Sequence, residues 1–178
     1  MTRSLSSEQT TPEPVPFIDL KAQFETIREE TLEAVQRVFE NQAFILGDEL
    51  WDMLDYADKV GCKNLVLNFN GTLLDRDDNI EKVLNSPLKR FILSLDGLSK
   101  ETFEHIRAKA KWETVYPAVE ELCRRREERG DIYPTITTQF SVMEENAHEV
   151  EDYRKYWSDR GAEVKVRPML EWTSTGTV

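Results

Sequence analysis

From residue 64 onward, short runs of branched and aromatic residues alternate with segments of helical periodicity, and this alternation constrains the fold more than any other feature of the chain. NLVLNF, RFILSL, YPTITTQFSV and EVKVRPML read as strands. Each of the first three is followed by a helical segment with a recognisable start. DRDDNIEKVLN carries Ile80, Val83 and Leu84 on one face; Ser99 is placed to cap KETFEHIRAKA; Pro117 is placed to open AVEELCRRREER before Gly130; Asn146 is placed to cap AHEVEDYRKYWSDR before Gly161. Each helix is long enough to return the chain to its starting edge. The pattern therefore predicts an α/β fold with four parallel strands and right-handed crossovers.

The first third of the chain reads differently. Residues 1–16 are polar and proline-punctuated and are expected to be a disordered tail. Leu20, Phe24, Ile27, Thr31, Ala34, Val35, Val38 and Phe39 recur at spacings of three and four, which predicts an amphipathic helix over 20–41 with Asp19 as N-cap. A second helix is expected over Asp48–Val60, burying Leu50, Met53, Leu54 and Ala57 and ended by Gly61. The expected organisation is a tail at 1–16, a helical segment at 17–47 and an α/β unit at 48–178.

The 178 residues suit one core of ordinary size. Twenty-three basic against 34 acidic residues give a formal charge of -11, which disfavours nucleic acid and anionic membranes as partners. The one basic run, Arg124–Arg126, precedes Glu127 and Glu128 and reads as a solvated helix face. No run is apolar enough to span a bilayer or serve as a secretory signal, so a soluble, cytoplasmic chain is expected. Cys62 and Cys123 are too few and too far apart for a disulfide framework or metal knuckle, and both read as packing residues.

In a parallel sheet the chemistry belongs at the carboxyl ends of the strands. The polar residues there are Asn68, Asn70 and Gly71; Ser94, Asp96 and Gly97; Gln139, Ser141 and Glu144; and Arg167 and Glu171. One stretch, NFNGTLLD, resembles the DFDGTLLD nucleophile loop of haloacid-dehalogenase-type phosphatases with Asn68 and Asn70 in place of its two carboxylates. That chemistry needs a carboxylate nucleophile and a second carboxylate as acid and base. An amide supplies neither, so this resemblance implies a degenerate phosphatase.

A larger set of motifs supports another reading. LWDMLDYADKVGCKNLVLNFNGTLL, FILSLDGLSKETFEHIR, YPTITTQFSVMEEN and AEVKVRPMLEW, in this order, resemble the third to sixth strands of a radical S-adenosylmethionine enzyme, with Asn68–Gly71 where that family has Asn-Thr-Asn-Gly. The resemblance implies a partial parallel (β/α) barrel of about four strands, with the N-terminal helix packed on or beside it. It also implies an S-adenosylmethionine cradle in which Ser94 offers a hydroxyl, Asp96 an acceptor and Arg107 a guanidinium fork for the carboxylate, with Asn70 and Gln139 lining the same mouth. The family's Cys-x3-Cys-x2-Cys loop is missing, so its four-iron four-sulfur cluster is not expected. Its Gly-Gly-Glu-Pro loop is missing too, although Gly47, Asp48 and Glu49 fall near its place. The expected outcome is a domain inactive by itself, with no catalytic or metal-binding residues, whose open sheet edges favour self-association.

VPFIDLKAQFETIREETLEAVQRVFENQAFILGDEL resembles the opening of DegT-type sugar aminotransferases over Val15 to about Gly47. That family's pyridoxal phosphate lysine has no counterpart here, so the segment implies protein contact only. Two resemblances meeting near Gly47 imply a joined or truncated product.

Overall fold

The computed structural model describes residues 19–41, 47–76 and 78–169; the tail expected at 1–16, the FILG turn up to Leu46, and Glu171 lie outside the described residues. The chain divides into two compact units, Met1–Gln42 and Ala43–Val178.

The first unit contains α1, Leu20–Asn41. Asp19 caps it as expected, its Oδ1 accepting the Ala22 N–H at 2.9 Å. Leu20, Phe24, Ile27, Val35 and Phe39 of its apolar stripe are exposed.

The second unit opens with α2, Asp48–Lys59, and Gly61 follows with a left-handed φ of 97°. Leu50, Trp51 and Leu54 pack against the core, whereas Met53, expected inside, is 68% exposed. At about 100° per residue the stripe centred on Leu50, Leu54 and Trp51 turns Met53 away. Then come β1 (Val66–Phe69), α3 (Asn79–Asn85), β2 (Arg90–Ser94), α4 (Lys100–Ile106), α5 (Trp112–Arg129), β3 (Thr135–Val142), α6 (Val150–Ser158) and β4 (Glu163–Pro168). All four strands are parallel, in the sequential order β1-β2-β3-β4.

Three expected helix starts are corrected. The segment from Asp75 does not open a helix: residues 72–75 form turns, and α3 begins at Asn79, whose buried amide donates to Leu73 O at 2.8 Å. A side chain committed to the preceding backbone holds that loop in place of a helical turn. Pro117 does not open α5. The helix starts at Trp112, with Trp112 N donating to Glu104 Oε1 at 3.0 Å, and Pro117 lies inside it on an exposed face. Asn146 caps no helix; a 3-10 turn, Ala147–Glu149, precedes α6, and the buried Asn146 side chain is used across the sheet end instead. Ser99 does cap α4, its Oγ accepting Thr102 N at 3.2 Å.

The register separates two faces. Phe69, Phe91, Leu93, Ile136 and Phe140 share one face and join Val83, Leu84, Phe103, Val115, Val119, Leu122, Tyr153 and Trp157 of the helices in one core. An aromatic group lies within it, with Tyr116 stacked on Trp112 at 4.9 Å and against Trp157 at 5.2 Å. The other face carries Asn68, Arg90, Ser94, Thr137, Gln139, Ser141, Glu163, Lys165 and Arg167. Arg90 and Glu163 pair across β3 at 3.3 Å, flanking the buried Thr137. β3 and β4 put mostly polar residues on this face, whereas β1 and β2 also place Val66 and Ile92 there.

Arg124 and Arg125 pair with Glu121, Glu128 and Glu81, which makes the basic run a self-neutralised helix face. Cys123 is buried, and burial pushes its thiol up to about 12. Cys62, expected to pack, is exposed beyond the end of α2. Among the described residues no helix is long and apolar enough to cross a membrane.

Candidate functional site

Polar side chains converge where β1, β2 and β3 end. Gln139 Nε2 donates to Ser94 Oγ at 3.2 Å, and Ser94 Oγ donates to Asn68 Oδ1 at 3.2 Å, giving a chain of hydrogen bonds across three strands. Ser94 and Gln139 are adjacent in register, and both are buried. Period-two alternation aims Asn68, Ser94 and Gln139 to the same side, which is why residues separated by up to 71 positions in the chain meet.

Asp96, just past β2, is the hub. It holds φ at 60°, a left-handed conformation that Asp tolerates better than most residues. Its Oδ1 accepts Ser141 N at 2.6 Å, its Oδ2 pairs with the Arg107 guanidinium, and its backbone O accepts Asn146 Nδ2 at 2.9 Å. Asn146 also donates to Ser141 O at 2.9 Å and accepts Met143 N at 2.7 Å. Asn146 is therefore a buried brace between the ends of β2 and β3.

Gly97 follows, and a Cβ there would meet Phe103 N at 2.7 Å, so only glycine lets the strand end lie against α4. Tyr116 OH donates to Gly97 O, and Trp112 Nε1 donates to Leu98 O at 2.9 Å. The aromatic core thus fixes the loop that carries Asp96.

Glu149 holds the same loop from the other side, accepting Leu98 N at 2.6 Å, Ser99 N at 3.2 Å and Thr102 Oγ1 at 2.8 Å, with Ser99 Oγ as a further donor. Burial opposes ionisation of its carboxyl, but these hydrogen bonds outweigh it and hold the group below the usual carboxylate range. Glu149 is an N-terminal cap for α4 supplied from 50 residues downstream of Ser99.

Asn68, Phe69, Asn70, Ser94 and Arg107 line a cavity of about 270 Å³. Three of the five residues expected to hold a ligand, Asn70, Ser94 and Arg107, are on its wall, and the other two bond to them: Gln139 to Ser94, Asp96 to Arg107. Arg107 Nε is buried and has no hydrogen-bond partner among the described residues. Asn70 Oδ1 accepts Thr72 N at 3.1 Å and Thr72 Oγ1 at 2.8 Å. Arg167 reaches only Ser141 Oγ, at 3.5 Å, and Glu144 is exposed away from the cavity.

Sequence reasoning missed Asn146 and Glu149. Asn146 was visible only as a helix-start residue, and Glu149 carries no motif, since its partners are fixed by packing. Compared with family models, curated proteins and solved structures, the chain matches none.

Proposed function

We propose that the unit beginning near Asp48 is a partial (β/α) barrel of the radical S-adenosylmethionine type that binds S-adenosylmethionine at the ends of β1 to β3 without performing the family's reductive cleavage. The observation that carries this reading is Arg107: its guanidinium is oriented by Asp96 and lines an open pocket with Asn68, Asn70 and Ser94. The Arg107 side chain is 29% exposed, so the accessible part of its guanidinium is what a ligand carboxylate would meet. Ser94 and Asn70 would offer hydrogen bonds to ribose hydroxyls. The sequential strand order also favours a barrel wall, since a doubly wound sheet reverses direction at its switch point.

The residues present do not fit the family's cluster. Three thiolates are needed to hold it, and the chain has two cysteines, one exposed after α2 and one buried within α5. No step through a cluster is assigned. An aminotransferase-related chain acting through protein contacts, and self-association through the edges of β1 and β4, are the competing expectations.

Titration calorimetry separates these readings. S-adenosylmethionine is expected to bind the intact chain, with affinity falling at least about tenfold in Arg107→Ala and less in Ser94→Ala. Heat from pyridoxal phosphate alone would favour the aminotransferase reading. Heat from neither ligand would remove the cradle, and stoichiometric iron and sulfide after anaerobic reconstitution would overturn the assignment of a cluster-free domain.

A further inference from the structure

A second cleft, of about 360 Å³, lies between the loop that follows β1 and the connector joining α4 to α5. Its lining includes Arg76, Lys109 and Lys111 together with Asn70, Thr72 and Thr114, and no carboxylate. In a chain of net charge -11, three basic residues on one lining without a carboxylate among them set the cleft apart from its acidic surroundings. All three are exposed, and none is ion-paired among the described residues. Of the acidic side chains near the lysines, Glu113 is paired with Lys100 and Glu104 accepts Trp112 N, whereas Asp75 and Asp78, near Arg76 in the chain, are exposed and do not line the cleft. Because Glu104 occupies the first N–H of α5, the positive character of the cleft comes from its side chains and not from the helix terminus.

Both walls are built rather than loose. On one side, Leu74 N donates to Gly71 O at 3.1 Å, Arg76 N donates to Leu73 O at 3.2 Å, and the buried Asn79 amide holds Leu73 O at 2.8 Å. Gly71 seats this loop on α5: a Cβ there would meet Val115 Cγ1 at 2.9 Å. On the other side, Ala110 is buried, its N–H donates to Arg107 O at 2.9 Å, and Lys109 is held at a φ of 71°, a left-handed conformation seldom adopted by lysine. The cations are thus presented by a backbone that is already in place, which lowers the cost of ordering them around a ligand.

We propose that this cleft binds the phosphate group of a small phosphorylated molecule. A phosphate monoester carries a charge of about -1.5 to -2 near neutral pH and three acceptor oxygens, which suits three cations on one lining and the hydroxyls of Thr72 and Thr114 better than a singly charged carboxylate does. The volume is near the lower end of small-molecule pockets, about 300–1,000 Å³. The acidic remainder of the chain repels a nucleic acid backbone. The cleft shares only Asn70 with the cavity at Arg107, so the site stands whether or not S-adenosylmethionine binds.

The test uses the full chain at low ionic strength, with inorganic pyrophosphate as probe and acetate as the carboxylate control. Saturable pyrophosphate binding is expected, with shifts of the Thr72 and Thr114 amide resonances, and acetate at equal concentration should produce none. Lys109→Ala/Lys111→Ala should weaken pyrophosphate binding at least about tenfold. Lys63→Ala/Lys155→Ala, which removes the same charge elsewhere, should leave it unchanged. Equal weakening by the two lysine double variants, or a wild-type titration that does not move Thr72 and Thr114, overturns the site. Loss of S-adenosylmethionine binding without loss of pyrophosphate binding removes the adenosyl cradle and leaves the phosphate site standing.

Discussion

The two faces of the sheet solve different problems with the same four strands. Toward the helices, Phe69, Phe91, Leu93, Ile136 and Phe140 join a single apolar core, and several of them are completely buried. Toward the other side, Ser94, Thr137 and Gln139 are buried among polar groups, while Asn68, Arg90, Glu163, Lys165 and Arg167 reach solvent. The difference teaches where stability and binding reside. The apolar face removes large side chains from water; the polar face retains donors and acceptors at a defined strand end, where a ligand can use them.

The largest expected effect breaks the apolar side. Phe91→Ala empties a fully buried position and should cost about 3–5 kcal/mol, read as a fall in the urea midpoint at unchanged m-value. A cost below about 1 kcal/mol would show that this face is not the core.

Next comes the hub that joins the two sides. Asp96→Ala leaves Ser141 N and the Arg107 guanidinium without their acceptor and places Ala in a left-handed conformation, at an expected cost of about 2–4 kcal/mol. Asp96→Asn keeps the conformation and an acceptor for Ser141 N but loses the charge pair, so it should cost less. Equal costs for both variants would show that the charge, rather than the geometry, holds the loop.

Glu149 sharpens the comparison through pH. Its carboxyl is held below the usual range in the folded chain, so its contribution is fully present above the ordinary glutamate pKa of about 4.3 and is lost as pH falls through the lower folded value. The melting temperature of the wild type should therefore decline more steeply below about pH 4.5 than that of Glu149→Gln. Parallel curves for the two proteins would remove Glu149 as a determinant of acid stability.

The smallest effect belongs to the exposed part of the polar face. Arg90 and Glu163 are each about half exposed, and Glu163→Ala should change stability by no more than about 1 kcal/mol. A loss comparable to that of Phe91→Ala would mean that the polar face is structural after all.

Much of the secondary structure was legible because it is written in local periodicity. The four strands, the capping of α1 by Asp19 and of α4 by Ser99, and the glycine beyond α2 all follow from patterns spanning a few residues. The misplaced starts of α3 and α5 share one cause: Asn79 and Glu104 engage backbone groups outside the helix they were read with, and such bonds leave no mark on hydrophobic spacing. Asn70, Ser94, Asp96 and Gln139 could be named because strand ends can be located from sequence, whereas Arg107, at the end of α4, came only from the family resemblance. The cations of the second cleft were not found, since Arg76 and Lys111 come from segments 35 positions apart with no shared pattern.

The sequence by itself determined that this chain alternates strand and helix, that its strands end in polar residues, and that two cysteines cannot supply three thiolates. Only the tertiary structure decided that Asn146 braces two strand ends, that Glu149 caps a helix far from it in sequence, and that three cations from two segments line one cleft. Local periodicity is a property of neighbours along the chain, whereas a hydrogen bond or a field between distant residues exists only once packing has set the distance between them.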